Sequence, residues 1–228
     1  MYREYPPTAE CSSFLDSIWL SANTTEANTI LPDNCSDIFI PLNSSEPIKF
    51  AGHVTSYVVH HPEPNEVILG LRFKPGYSIA FVQEEMSQLT DKVIDLSVIR
   101  KHPFDKIKEE YMKHEIIPFK TISKVLFPFF DGFRQDADIS NSIDLIKNTS
   151  GNIKIESLSD AVGISRRALE KKFNRNLGKT PKRFAQIERF NTIIENQDSL
   201  KTMDYYDLSH MTKEFKILSG KRPSDFFV

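Results

Sequence analysis

The spacing of apolar residues changes character twice along the chain. Up to about residue 100 the apolar runs are short: Thr29-Ile30-Leu31, Asp37-Ile38-Phe39-Ile40, and the stretches 54–59 and 67–73. Each is rich in β-branched or aromatic residues and is bounded by turn chemistry such as Pro32-Asp33-Asn34, Pro41-Leu42-Asn43, Pro62-Glu63-Pro64-Asn65 and Lys74-Pro75-Gly76. That combination predicts strands joined by tight turns. From Tyr77 the period lengthens: Ile79, Val82 and Met86 predict a short helix. Residues 104–133 read as two helices interrupted near Pro118, carrying Ile107 and Tyr111, then Phe119, Ile122, Leu126 and Phe130. The pattern therefore predicts a β-rich domain over 1–100. A helical linker, a candidate for dimerisation, follows over 101–138.

Beyond residue 138 the pattern is helical nearly to the end. Ile143, Leu145 and Ile146 mark one helix, stopped at Ser150-Gly151-Asn152. Ile155, Leu158 and Val162 mark a second, short one, followed at once by Gly163, Ile164 and the N-cap residue Ser165. Leu169, Phe173 and Leu177 recur at four-residue spacing, the core stripe of a third helix. Gly178 stops it, and Thr180-Pro181 opens a fourth with a capping hydroxyl and a first-turn proline. A short helix, a glycine turn and a longer helix make a helix-turn-helix. The fold class expected is α+β: a small N-terminal β domain with linker helices, then an all-α unit over 139–228.

Charge sharpens this division. The net charge of -2 conceals 13 basic against 20 acidic residues up to Asp138, and 16 against 11 afterwards. Residues 165–189 alone hold nine Lys or Arg, against Glu170 and Glu188. A basic segment on an acidic body suggests a polyanion-binding module attached to a separate regulatory part, although a solvated helix face is the plainer explanation of charge by itself. Position favours the first. With Leu158, Ile164, Leu169 and Phe173 turned inward, the free face of the third helix carries Arg166, Arg167, Glu170, Lys171, Asn174 and Arg175. Guanidinium and amide groups near a helix start reach base edges in the major groove, while the other cations contact phosphate.

The stretch from Ile155-Glu156-Ser157-Leu158 through Ala161-Val162-Gly163-Ile164-Ser165-Arg166-Arg167-Ala168-Leu169 to Phe173 resembles the DNA-binding domain of AraC/XylS-type transcriptional regulators. The resemblance continues through Leu177-Gly178-Lys179-Thr180-Pro181 and Ile187-Glu188-Arg189-Phe190, and resumes in Tyr205-Tyr206-Asp207-Leu208 and Ser219-Gly220-Lys221-Arg222-Pro223. It implies two helix-turn-helix motifs joined by a linker helix, with recognition helices in successive major grooves. Ser165, Arg166, Arg167, Glu170, Lys171, Asn174, Arg175 and Lys182 are the DNA-contact candidates of the first half. Ser209, Thr212, Lys213 and Lys216 are those of the second, on a helix expected from about Asp207 to Ser219. The second motif is shortened: 13 residues (192–204) separate Asn191 from Tyr205. If the linker helix runs to Gln197, Leu200 and Met203 are the apolar residues left to support that helix, and the first motif is expected to carry most of the sequence readout. In the N-terminal part, Ile30-Leu31-Pro32-Asp33-Asn34 and Leu69-Gly70-Leu71-Arg72-Phe73-Lys74-Pro75-Gly76 are similar to the small sensor domain of one subset of these regulators, implying a cupin-like β domain.

The resulting expectation is a sequence-specific, non-enzymatic, cytoplasmic transcriptional regulator under the control of an N-terminal effector or assembly domain. Double-stranded DNA is the expected partner, with RNA polymerase, an unknown effector and a second copy of the chain as further candidates; neither a cofactor nor a membrane is expected. A sensor with a degenerate DNA-binding half that acts through protein contacts is the alternative, and a cupin-like enzyme a weaker one. His53, His60 and His61 lack a matching ligand set, and neighbours on a strand point to opposite faces. Cys35 reads as an inert, half-buried thiol. The two cysteines make no disulfide framework or metal quartet. No secretory leader is visible at the N-terminus.

Overall fold

A computed structural model of the chain describes residues 1–22, 27–82, 84–99, 101–196 and 208–227, and of 208–210 the backbone alone. The N-terminal part is built on strands β1 (Tyr2–Tyr5), β2 (Leu15–Ala22), β4 (Ser36–Pro41), β5 (Lys49–Ala51), β7 (Val67–Phe73) and β8 (Val93–Asp95), forming one sheet in the order β1-β2-β7-β4-β5-β8. Every pairing in it is antiparallel, with a bulge in β2 between Leu15 and Ser17. A separate hairpin pairs β3 (Asn28–Ile30) with β6 (Val58–His60).

Strands β2, β4 and β7 bury Leu15, Ile18, Leu20, Ile38, Ile40, Leu69, Leu71 and Phe73. Onto them fold α1 (Ser78–Val82), α2 (Leu96–Ile99), α3 (Asp105–His114) and α4 (Phe119–Phe130), supplying Phe81, Leu96, Ile107, Ile122, Leu126 and Phe130 to the same core, with Phe104 just ahead of α3. Phe14 and Phe130 stack with ring centroids 3.9 Å apart. Residues 105–130 therefore do not stand apart as a linker. Their apolar faces close the sheet domain, because an amphipathic helix beside an open sheet face buries both at once.

The strand predicted over 54–59 pairs only from Val58. Upstream of it the backbone takes other partners: the Thr55 N–H and hydroxyl both donate to the Asp91 carboxylate at 2.7 Å. Strand β2 carries no clear alternation, since Ser17 and Ser21 break its apolar run, and β1 is an exposed polar edge.

The C-terminal part holds α5 (Ala137–Asn148), α6 (Ile155–Val162), α7 (Arg166–Leu177), α8 (Pro181–Glu195), α9 (Leu208–Ser219) and α10 (Pro223–Phe226). It has two cores. Ile139, Ile143, Ile146, Ile155, Leu158, Leu169, Phe173 and Leu177 pack with Phe184 and Ala185 of α8. Further along the same helix, Ile187, Phe190 and Ile193 pack with Phe215 and Leu218 of α9. One 15-residue helix thus spans both halves. The fold is α+β: an antiparallel sheet domain followed by a helical region.

Candidate nucleic-acid interface

The turn between α6 and α7 is fixed by backbone chemistry. Gly163 has φ 78°, its N–H donates to the carbonyls of Ser159 and Asp160, and the Ile164 N–H reaches Ser159 O at 3.2 Å. The chain then re-enters a helix at Ser165, whose Oγ accepts the Ala168 N–H at 3.2 Å. This cap satisfies one of the donors that the first turn of a helix leaves open. Leu169, Phe173 and Leu177 are buried, so the opposite face of α7 is committed to solvent.

That face carries Arg166, Arg167, Lys171, Asn174 and Arg175, all exposed, with Glu170 half-buried beside them. Arg166 is held from both sides: its Nη1 donates to Glu156 Oε1 at 2.7 Å and its Nε to Glu170 Oε1 at 3.0 Å. Those two carboxylates raise the guanidinium above its ordinary range. Arg167, Lys171 and Arg175 make no ion pair among the described residues. Lys182 is exposed in the first turn of α8, after the Thr180 cap.

Four of the nine cations of 165–189 are turned to other uses, which the charge pattern did not foretell. Lys172 is clamped by Asp136 at 2.5 Å and Asp138 at 2.8 Å, at the start of α5. Arg189 donates to Gly151 O at 2.9 Å. Lys179 and Arg183 face the sheet domain. Lys179, only 4% exposed, donates to Asn34 Oδ1 at 3.1 Å, and Arg183 donates to Thr55 O.

These two belong to a contact between the parts that sequence reasoning missed. Asn34, in left-handed backbone (φ 63°), donates its Nδ2 to Phe184 O at 3.1 Å. The Arg72 guanidinium, 3.3 Å from Asp33 and 3.4 Å from Asp37, braces the turn that presents it. Thr90 Oγ1 donates to Gly178 O at 2.6 Å, where the end of α7 meets the 3-10 turn Met86–Gln88. Burial pulls Lys179 down to about 8 and holds His53, buried nearby, neutral. Burial and the neighbouring Asp33 push the Cys35 thiol up, which keeps it protonated and a poor nucleophile. Pro32-Asp33-Asn34 announced a turn; nothing in its sequence announced a partner 150 residues away.

In the second half, Met211, Phe215 and Leu218 of α9 are buried and Lys213 and Lys216 exposed, with Thr212 half-buried. The side chain of Ser209, and all of Leu200 and Met203, lie outside the described residues. Among the described residues no three His, Cys, Asp or Glu side chains gather into a metal-binding group, and no helix is long and apolar enough to cross a membrane.

Residues 145–186 match the family model of bacterial regulatory helix-turn-helix proteins, AraC family. That stretch, from the end of α5 into α8, is an AraC-family helix-turn-helix. Residues 3–95 match a family described as a domain of unknown function, DUF6597. None of the curated proteins matches the sequence. Two solved structures of ToxT from Vibrio cholerae are similar in shape. One, from strain O395, is 11% identical with a TM-score of 0.46, covering 91% of this chain and 96% of that one. The other, a 1.65 Å structure, is 12% identical with a TM-score of 0.43, covering 92% and 97%.

Proposed function

We propose that this chain is a transcriptional regulator that binds double-stranded DNA sequence-specifically, with α7 lying in a major groove and its exposed face reading base edges. The observation that carries this is the state of the α7 surface. Arg166 and Arg167 stand exposed in its first turn, with Lys171, Asn174 and Arg175 exposed further along the same face, while the sheet domain meets the helix at its end, by Gly178. Arg167 is the bidentate donor for a guanine edge, and Asn174 suits an adenine. Glu170, oriented by Arg166, accepts from a cytosine amine. The Ser165 hydroxyl accepts from its cap partner and still has its own proton to give to a phosphate. Lys171, Arg175 and Lys182 fix register through phosphates. Ser209, Thr212, Lys213 and Lys216 of α9 serve the adjoining groove.

Residues 1 to about 135 supply control, through an effector, self-association or contact with RNA polymerase, and no catalytic step is assigned to them. Gel shifts on genomic fragments at varied salt test the reading. Binding that weakens with a log–log slope of about -0.9 per phosphate contact, and that fails when Arg166, Arg167 and Lys171 are replaced together by Ala, supports it. Unchanged affinity in the triple variant sinks the assignment of α7.

A further inference from the structure

Helix α9 does not rest on helices alone. Its buried residues Phe215 and Leu218 pack with Ile187, Phe190 and Ile193 of α8, and against this cluster lie Phe226, Phe227 and Leu31. Leu31 belongs to the other domain, directly after β3. The strand paired with β3 is preceded by Thr55 and Tyr57, and both of these also reach the helical region. The Thr55 carbonyl accepts from Arg183 on the first turn of α8. The ring of Tyr57 lies against the backbone at Gly220, just past α9: a Cβ there would come within 2.8 Å of Tyr57 Cζ. Arg183 is pulled down by its burial and held up by the carboxylates of Glu214, on α9, and Asp91, in the sheet domain. Asp91 also holds Thr55 in place.

We propose that the hairpin of the regulatory domain is a structural part of the second DNA-binding motif, with Leu31, Thr55 and Tyr57 as positioning residues that set where α9 stands. The inference rests on the reading of α7 and α9 as groove-reading helices. A recognition helix displaced by about an ångström takes its side chains out of hydrogen-bonding range of base edges. Leu31 packs, half-buried, against the cluster shared by α8 and α9, Tyr57 bounds the C-terminal end of α9, and the Thr55–Arg183 bond ties the hairpin to the start of α8. Any event that moves the hairpin therefore moves α9 relative to α7. The start of α7, whose contacts with the sheet domain lie at its other end, is left as it was. The regulatory domain in this arrangement tunes readout of the second groove, and it does so without covering either reading face.

The test uses the full chain on a duplex recovered by selecting random-sequence DNA with the wild-type protein, read by methylation interference. Wild type is expected to show base-specific interference in two successive major grooves. Leu31→Ala and Tyr57→Ala should each keep the groove assigned by Arg167→Ala to α7 and lose the other, with affinity falling roughly five- to hundredfold, the range of one or two lost base contacts. Leu31→Met, which conserves volume, should restore both. Leu69→Ala, a truncation in the core of the main sheet, controls for general loss of stability and should weaken both grooves alike or neither. Interference in both grooves for Leu31→Ala and Tyr57→Ala overturns the proposal, as does a wild-type pattern confined to the α7 groove. If selection returns no preferred sequence at all, the DNA-reading assignment itself fails, and that result is distinct from the other two.

Discussion

Lys179 shows how a single residue can look like a DNA contact in the sequence and serve another end in the fold. It lies in the basic run, yet its ammonium is buried against Asn34; burial, with Arg183, pulls it down to about 8 against the upward draw of Asp33 and Asp91. Below that pH the group is charged in both docked and free states, and its lost hydration opposes docking. Between about 8 and the ordinary 10.5, the docked form sheds the proton first, so the contact strengthens as pH rises. The gain is at most about 1.4 kcal/mol per pH unit. Thermal unfolding followed from about pH 7.5 to about 9.5 should show this rise, and Lys179→Met should flatten it. A wild-type profile that falls across the window would contradict the assignment. Arg167 is the opposite case, exposed and without an ion pair among the described residues. Arg167→Ala should cost roughly 1–3 kcal/mol of site-specific affinity, with thermal stability within about 0.5 kcal/mol of wild type.

Among the elements, the junction of α7 and α8 constrains the sequence tightly. Gly178 has φ +66°, and a Cβ there would stand 2.3 Å from Thr90 Oγ1 and 2.7 Å from Met86 O. Gly178→Ala meets both left-handed strain and backbone of the facing domain, and should destabilise the protein by more than about 1 kcal/mol in denaturant unfolding. Gly163→Ala has the strain (φ +78°) with open space around it, and should cost less. That Gly178 ends a helix was legible in the sequence; that it also abuts another domain was not. The same division holds elsewhere. Leu169, Phe173 and Leu177 announced α7, and Gly163 with Ser165 announced its turn and cap, because helical periodicity and capping are local. Strands β5 and β8 span three residues each, too few for alternation to register. The core of α9 was hidden for a related reason: support was sought in Leu200 and Met203, close in sequence and outside the described residues, while the described residues packed against it include Leu31, Phe226 and Phe227.

At the scale of the whole molecule, one fact organises the rest: the basic run of residues 165–189 has three destinations. Arg166, Arg167, Lys171, Arg175 and Lys182 face outward, Lys179 and Arg183 bind the sheet domain, and Lys172 and Arg189 tie helices of the C-terminal part together. Charge patterning alone sums the three sets and reads a single patch; only the fold separates an outward-facing set from those used inside the molecule. The central claim, that α7 reads base sequence, is tested most directly by selecting bound duplexes from random-sequence DNA in parallel with the wild-type chain and with Arg167→Ala. The account predicts that the two preferred sequences agree except at one or two adjacent base pairs, where the variant loses its preference. An identical preference at every position, with affinity merely lowered throughout, would contradict it.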